Sequence, residues 1–145
     1  MKQSHSFWLL LGMLIFSCQT PSKTMENKSV QDLPLAGTQW NFTTVDETPV
    51  TGIMRPAFIQ FDADKGSASG SSGCNRMMGT YKLENGKLSF GQMATTRMAC
   101  DEPSTKIENQ ILKMLEEVDG YEIRGTQLSL KQAGRVRSTL KADAK

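Results

Sequence analysis

Histidine is almost absent from this sequence of 145 residues: the single imidazole is His5, near the amino terminus. If the amino-terminal segment is cleaved during export, the mature chain has no histidine. Ser-His-Asp and Cys-His catalysis and histidine-ligated metal sites are then excluded. We therefore expect no catalytic residue, no metal and no other cofactor, and the protein is predicted not to be an enzyme.

An excess of charge of one sign is also missing. The formal net charge is +2, and the chain after residue 17 carries 16 basic and 15 acidic side chains. Nucleic-acid binding needs several lysines or arginines that face phosphates, so no nucleic-acid partner is expected. Hydrophobic residues make up 38% and charged residues 22%, which is typical of one globular domain rather than a disordered chain.

The long apolar run of a membrane-spanning helix is missing as well. The run at residues 7–16 has ten residues, and these would cover only about half of a ~30 Å hydrocarbon core. Lys2, this run and a small residue before the cut are typical of a secretory signal peptide over residues 1–17. Ile15-Phe16-Ser17-Cys18 is similar to a bacterial lipobox, which predicts acyl chains on Cys18. A plain exported protein with an unmodified thiol is the alternative.

The chain becomes polar after the cleavage site. Residues 18–32 include Pro21 and few apolar side chains, which predicts a flexible tether. Gln19 follows the cysteine, instead of the Asp that retains many Gram-negative lipoproteins in the inner membrane. This resemblance implies a location in the cell envelope, on the outer membrane facing the periplasm, with the membrane as partner through Cys18.

Two cysteines remain once Cys18 is assigned to the lipid: Cys74 and Cys100. An even number in an oxidising compartment favours a structural disulfide, and its loop of about 27 residues would contribute roughly 3–4 kcal/mol in the chain-entropy model. Two buried thiols are the plain alternative. A redox pair is the third interpretation, although the sequence has no CxxC motif.

Short strands are predicted along the folded domain, residues 33–141. Trp40 and Phe42 alternate with polar residues, as in a half-buried strand. Asn85-Gly86 predicts a type I′ hairpin turn because both positions need positive φ. The predicted strands cover residues 38–45, 56–62, 67–70, 80–83, 87–90, 121–123, 128–130 and 136–140.

One helix is predicted over residues 103–118. Its apolar residues, from Ile107 to Val118, form a single stripe at helical spacing. Glu108 is assigned to the opposite, solvent-facing side. The fold class is therefore α+β, with a curved, barrel-like antiparallel sheet and one packed helix.

Small residues crowd the region between residues 66 and 81. Gly70 and Gly73 permit backbone angles closed to other residues, and Asn75 tolerates the left-handed region. We therefore expect Gly73-Cys74-Asn75 to be a sharp turn fixed by its cysteine. Gly79 and the two residues after it then enter a strand, with the ring of Tyr81 buried.

These motifs resemble the META-domain family, also called HslJ-like heat-shock proteins, over about residues 33–141. The resemblance implies a compact β-rich domain with one helix, often in an envelope lipoprotein, associated with stress response, motility or virulence. It brings no catalytic residue. Met77-Met78 stand where members often have an aromatic residue. The matching positions include Trp40, Gly70, Gly73, Asn75, Gly79, Tyr81, Thr96 and Met98.

Other side chains near the cysteine motif receive plain interpretations. Arg76 and Arg97 are interpreted as exposed arginines, with an anion-contacting surface as the alternative. Four methionines are interpreted as flexible core filler rather than as a copper(I) site. They are Met77, Met78, Met93 and Met98.

Three functions are consistent with the sequence. The first is a non-catalytic, membrane-tethered envelope protein that binds or protects an unknown protein during stress. The second is a carrier or chaperone that holds an acyl chain or hydrophobic peptide between sheet and helix, which requires an apolar cavity of at least ~300 Å³. The third and most remote is a hydrolase, for which no histidine would be available to activate Ser71 or Ser72.

Overall fold

The computed structural model describes residues 31–143, which form ten strands and one helix. The strands are β1 Gln39–Val45, β2 Thr48–Pro49, β3 Ala57–Asp62, β4 Ser67–Ser72, β5 Arg76–Glu84, β6 Lys87–Phe90, β7 Ala94–Thr95, β8 Gly120–Arg124, β9 Gln127–Gln132 and β10 Arg135–Ala142, and helix α1 spans Glu102–Glu117. The sheet order is β6-β5-β4-β3-β1-β10-β9-β8, while β2 pairs with β1 and β7 pairs with β5.

The pairing within this sheet is antiparallel throughout. Its two outer strands, β6 and β8, come into contact with each other, so the sheet curves into a nearly closed barrel. Helix α1 packs against β1, β4 and β6. The predicted α+β class, a barrel-like antiparallel sheet with one packed helix, is confirmed.

The predicted hairpin between β5 and β6 has the expected backbone. Asn85 and Gly86 have φ angles of 51° and 74°, as a type I′ turn requires. Strand β5 begins at Arg76 rather than at Thr80, because the chain turns back over only three residues after β4. The two-residue strands β2 and β7 lie outside the predicted strands, since a strand of this length has no periodicity to detect.

Helix α1 begins at Glu102, one residue before the predicted start. The Asp101 carboxylate accepts a hydrogen bond from the Ser104 backbone N–H at 3.0 Å, which satisfies one of the free donors of the first turn. The apolar stripe faces the sheet, with Ile107, Ile111 and Met114 buried. No helix within residues 31–143 has the length and apolarity needed to cross a membrane.

Apolar side chains occupy the space between the helix and the sheet. Trp40 is fully buried, and its indole N–H donates to the carbonyl of Leu35 at 3.0 Å. Ile59, Met114 and Leu115 are also fully buried and belong to the same contiguous cluster. The interior of the barrel is therefore a packed core. Any surface on which a ligand binds lies outside this core.

Candidate functional site

A groove of about 910 Å³ lies on the outer face of the sheet, over the middle of β4. Strand β4 has the sequence Ser-Ala-Ser-Gly-Ser-Ser, so it presents only small side chains between the larger ones of β3 and β5. This difference in side-chain size makes β4 the floor of the groove. Two cross-strand rows line it: Phe58–Ser71–Arg76 and Gln60–Ser69–Met78.

Gly70 sits in the floor of the groove because the neighbouring backbone leaves no room for a side chain. A Cβ atom at this position would overlap the backbone carbonyl of Phe58 on β3. The prediction that Gly70 is needed for its backbone angles is wrong, since its φ is not positive. Any larger residue would push β4 away from β3 and deform the groove floor.

Position 79 also requires glycine because neighbouring atoms leave no room for a side chain. A Cβ there would lie 2.8 Å from the carbonyl oxygen of Gln92 and would overlap the side chain of Met93. The lack of a side chain therefore allows the segment before β7 to pass close to β5.

The walls of the groove combine apolar side chains with positive charge. Met78 is 64% exposed, Phe58 is half-buried, and two arginines, Arg55 and Arg76, line the same groove. Of the described residues that line it, none is Asp or Glu. Within residues 31–143 neither guanidinium forms an ion pair. The groove is thus an electropositive and partly apolar surface.

A tight turn at one end of the groove joins β4 to β5. The Ser72 backbone N–H donates to the carbonyl of Asn75 at 2.9 Å, and Gly73 has a φ of 92°, as predicted. The expectation that Asn75 uses the left-handed region is wrong, because its φ is not positive. Asn75 serves instead through its buried side chain.

Glu108 of helix α1 forms hydrogen bonds with this turn. Its two carboxylate oxygens accept from the backbone N–H and the side-chain amide of Asn75, each at 3.0 Å. The hydroxyl of Ser72 donates to the same carboxylate. The prediction that Glu108 faces solvent is therefore wrong. Glu108 lies one helical turn after buried Ser104 and one turn before buried Ile111, so it belongs to the row of side chains that faces the sheet. The sequence does not reveal this row because Ser104 is polar.

The other end of the Asn75 side chain binds the segment that follows β7. Its Oδ1 atom accepts from the Met98 backbone N–H at 2.8 Å and from the Thr96 hydroxyl at 2.9 Å. One asparagine thereby joins the β4–β5 turn, the segment after β7 and, through Glu108, the helix. A buried polar network in which each member has partners holds a single arrangement of these segments.

The turn and the segment after β7 position the backbones of the two groove arginines. The Arg55 N–H donates to the carbonyl of Gly73 at 3.2 Å. The Arg76 N–H donates to the hydroxyl of Thr96 at 3.1 Å, and the Thr96 N–H returns a bond to the Arg76 carbonyl at 3.1 Å. The backbone geometry at the charged end of the groove thus depends on hydrogen bonds made by the turn and by Thr96.

Cys74 and Cys100 form a disulfide, as predicted, with their Cα atoms 5.9 Å apart and a sequence separation of 26. Cys74 is buried in the turn, and Cys100 lies one residue before the helix cap Asp101. The bridge therefore fastens the start of α1 to the turn that carries Asn75.

The META domain family model matches residues 32–144, a range that includes the turn and both bridged cysteines. The chain belongs to the META domain family. It is 33% identical to Heat shock protein HslJ of Escherichia coli strain K12 over 134 residues, 92% of this chain and 91% of that protein.

Two solved structures are similar to this META domain. An NMR structure of a protein 34% identical has a TM-score of 0.59 and covers 74% of this chain and 90% of its own. A second NMR structure, of a protein from Burkholderia xenovorans, is 33% identical with a TM-score of 0.59, covering 77% of this chain and 85% of its own. The predicted family membership is confirmed.

Two further predicted residues are Tyr81 and Cys18. Tyr81 packs edge-to-face on Phe61, with ring centroids 5.1 Å apart, but it is half-buried rather than buried. Burial, together with the negative charge of Asp62, raises the pKa of the Tyr81 phenol above its ordinary value. Cys18, the predicted lipid site, lies outside the described residues.

The methionines and arginines of the META domain divide between core and surface. Met77 is a core residue, but Met78 and Met98 are 64% and 44% exposed, so the filler interpretation is wrong for these two. Arg76 lines the groove, whereas Arg97 is exposed and does not. Within residues 31–143 no group of three or more His, Cys, Asp or Glu side chains is arranged to hold a metal ion.

Proposed function

We propose that this META-domain protein is a non-catalytic lipoprotein of the bacterial cell envelope that binds a partner in the outer-face groove during stress. The observation that carries the proposal is the groove itself. It exposes Met78 beside Arg55 and Arg76 over a floor of small residues. An exposed apolar side chain among polar groups of one charge is a surface suited to binding another molecule.

The stress association is supported by relatedness. The similar protein from Escherichia coli is a heat shock protein by name, and the similarity extends over 91% of that protein. We infer that the present chain acts under comparable conditions.

The location is supported by the sequence before the described residues. A ten-residue apolar run, a small residue and Cys18 follow one another in the order of a lipoprotein signal. Several acyl chains at ~0.8 kcal/mol per buried methylene would hold the chain on a bilayer. The polar stretch after Cys18 would then let the groove reach partners close to that membrane.

Binding at the surface is better supported than a carrier function. A carrier would hold its ligand between the sheet and the helix, where Trp40, Met114 and Leu115 are fully buried in one packed cluster. A non-catalytic role is supported by the chemistry of the groove. Its described lining offers guanidinium, hydroxyl and amide groups but no carboxylate to act as a general base.

A groove-filling variant tests this proposal in cells. Ser69 is exposed in the groove floor, and an indole at an exposed strand position is compatible with the fold. In a strain that lacks the protein and recovers slowly from heat shock, we expect the wild-type chain and Val136→Trp to restore recovery and Ser69→Trp to fail. Val136 is also exposed but lies on β10, outside the groove.

The contradictory result is full recovery with Ser69→Trp at equal abundance. A melting curve of each purified variant separates a blocked groove from a damaged fold. A Ser69→Trp chain with the wild-type melting temperature that still fails to restore recovery supports binding in the groove.

A further inference from the structure

We infer that the groove binds an extended peptide segment that carries an acidic group, with its carboxylate beside Arg55 and Arg76. This inference rests on the proposed function and adds the chemical class of the ligand. Three features of the described residues support it: the sign of the charge, the polarity of the floor and the dimensions of the surface.

The charge of the groove favours an anionic ligand. Arg55 and Arg76 both line it, no described lining residue is acidic, and neither arginine is ion-paired within residues 31–143. By contrast, Arg124 is ion-paired with Glu122, and Arg137 is ion-paired with Asp46 and Glu117. A guanidinium presents paired N–H donors that match the two oxygens of a carboxylate.

The floor favours a peptide over an acyl chain. Serine hydroxyls on β4, threonine hydroxyls at the β7 side and the amides of Gln39 and Gln60 all line the groove. An acyl chain would remove water from these groups and give them no hydrogen-bond partner, which is costly. Peptide N–H and C=O groups would replace the lost water, and Met78 and Phe58 would contact side chains of the ligand.

The surface has the length of a short peptide. Its lining residues come from five neighbouring strands, in the order β7-β5-β4-β3-β1. Strands lie about 4.8 Å apart, so five of them span about 19 Å, close to the reach of about six extended residues. A hexapeptide is therefore the natural probe.

The β4–β5 turn and its partners keep the charged end of the groove in place before a ligand arrives. Gly73 accepts from the Arg55 backbone and Thr96 accepts from the Arg76 backbone, and Asn75 and Glu108 hold both segments. A site whose backbone is already ordered loses less conformational entropy on binding. The buried network therefore also orders the backbone of the groove at the surface.

A pair of peptides tests the inference with the full-length chain in mild detergent. Both are hexapeptides that carry the same uncharged fluorophore and share their first four residues, which alternate between threonine and valine. One ends in two aspartates with a free carboxylate, and the other ends in two asparagines with an amide. By fluorescence anisotropy at low salt we expect the acidic peptide to bind roughly tenfold more tightly, and we expect salt to reduce this preference.

Matched variants locate the source of that preference. Arg55→Gln and Arg76→Gln should each bring the two affinities closer together, while Arg135→Gln should leave the ratio unchanged. Arg135 is exposed at the start of β10 and does not line the groove. Ser69→Trp should abolish the binding of both peptides.

The remaining outcomes separate the inference from the function on which it rests. Equal affinity for the two peptides, lost in Ser69→Trp, overturns the acidic ligand but keeps the groove as a binding site. Binding of dodecanoate, but of neither peptide, in a manner blocked by Ser69→Trp overturns the peptide class alone. Peptide binding that survives Ser69→Trp overturns the inference and also removes support for the groove.

Discussion

Glu108 accepts hydrogen bonds from both the backbone N–H and the side-chain amide of Asn75, although the two residues are 33 positions apart in the sequence. The helix and the β4–β5 turn are therefore joined by one carboxylate and one asparagine. Since Asn75 also binds Thr96 and Met98, this pair connects the packed core to the charged end of the surface groove.

Removal of the carboxylate should destabilise the domain. Glu108→Ala removes the shared acceptor of the Asn75 backbone N–H, the Asn75 side-chain amide and the Ser72 hydroxyl. Loss of hydrogen bonds to a charged group costs about 1–3 kcal/mol. For a domain of this size we expect the melting temperature to fall by about 4–12 °C. Thermal unfolding followed by circular dichroism measures this change.

A matched variant on the same helix provides the control. Glu116 is exposed, so Glu116→Ala should change the melting temperature little. Equal melting temperatures for Glu108→Ala and Glu116→Ala would show that the carboxylate has no part in holding the turn.

Reduction of the disulfide should also lower stability. The chain-entropy model gives roughly 3–4 kcal/mol for a loop of this length. We expect dithiothreitol to reduce the melting temperature of the wild-type chain and to have no effect on the double variant Cys74→Ser/Cys100→Ser. A wild-type melting curve that is insensitive to complete reduction, confirmed by mass, would contradict a stabilising role for the Cys74–Cys100 bridge.

The phenol of Tyr81 should titrate later in the folded protein than in the unfolded chain. Its pKa is raised above the ordinary value of 10.0, mainly by burial and further by Asp62. The folded state retains the proton where the unfolded state has lost it, so stability should decline as the pH rises from about 10 towards the native pKa.

Ultraviolet absorbance of the Tyr121→Phe variant isolates this phenol, since the chain has only two tyrosines. We expect a higher titration midpoint in buffer than in concentrated urea. A native midpoint at or below the unfolded one would contradict the raised pKa.

The lipid anchor should be visible in the mass of the protein. Intact-mass analysis of the chain purified from membranes should show cleavage before Cys18 and added acyl chains on that residue. Cys18→Ser should retain its leader or leave the membrane fraction. An uncleaved wild-type chain, or a mature chain without acyl groups, would contradict the proposed envelope lipoprotein.

The fold was largely predictable because its signals are local. The Asn85-Gly86 turn, the stripe from Ile107 to Leu115 and the alternation at Trp40 and Phe42 depend on neighbours in sequence, and all three are confirmed. The strand boundaries of β5 were less accurate, because the register after a tight turn is set by pairing with β4 rather than by propensity.

The site was less predictable because it depends on distant residues. Asn75 was identified, but its contact with Glu108 joins a turn to a helix through tertiary packing. The groove arises from cross-strand rows that bring Phe58 and Met78 to opposite sides of β4, and register of this kind is not written in any one segment. Arg55 lies in a loop with no motif, so nothing in the sequence marked it.

Photo-crosslinking in living cells tests the central claim, binding at the outer-face groove, most directly. Benzoylphenylalanine replaces Met78 or Gln60 in the groove, or exposed Val136 outside it, and cells are irradiated after heat shock. We predict one common adduct from both groove positions and none from Val136. No adduct from Met78 and Gln60, or the same adduct from Val136, would contradict the claim.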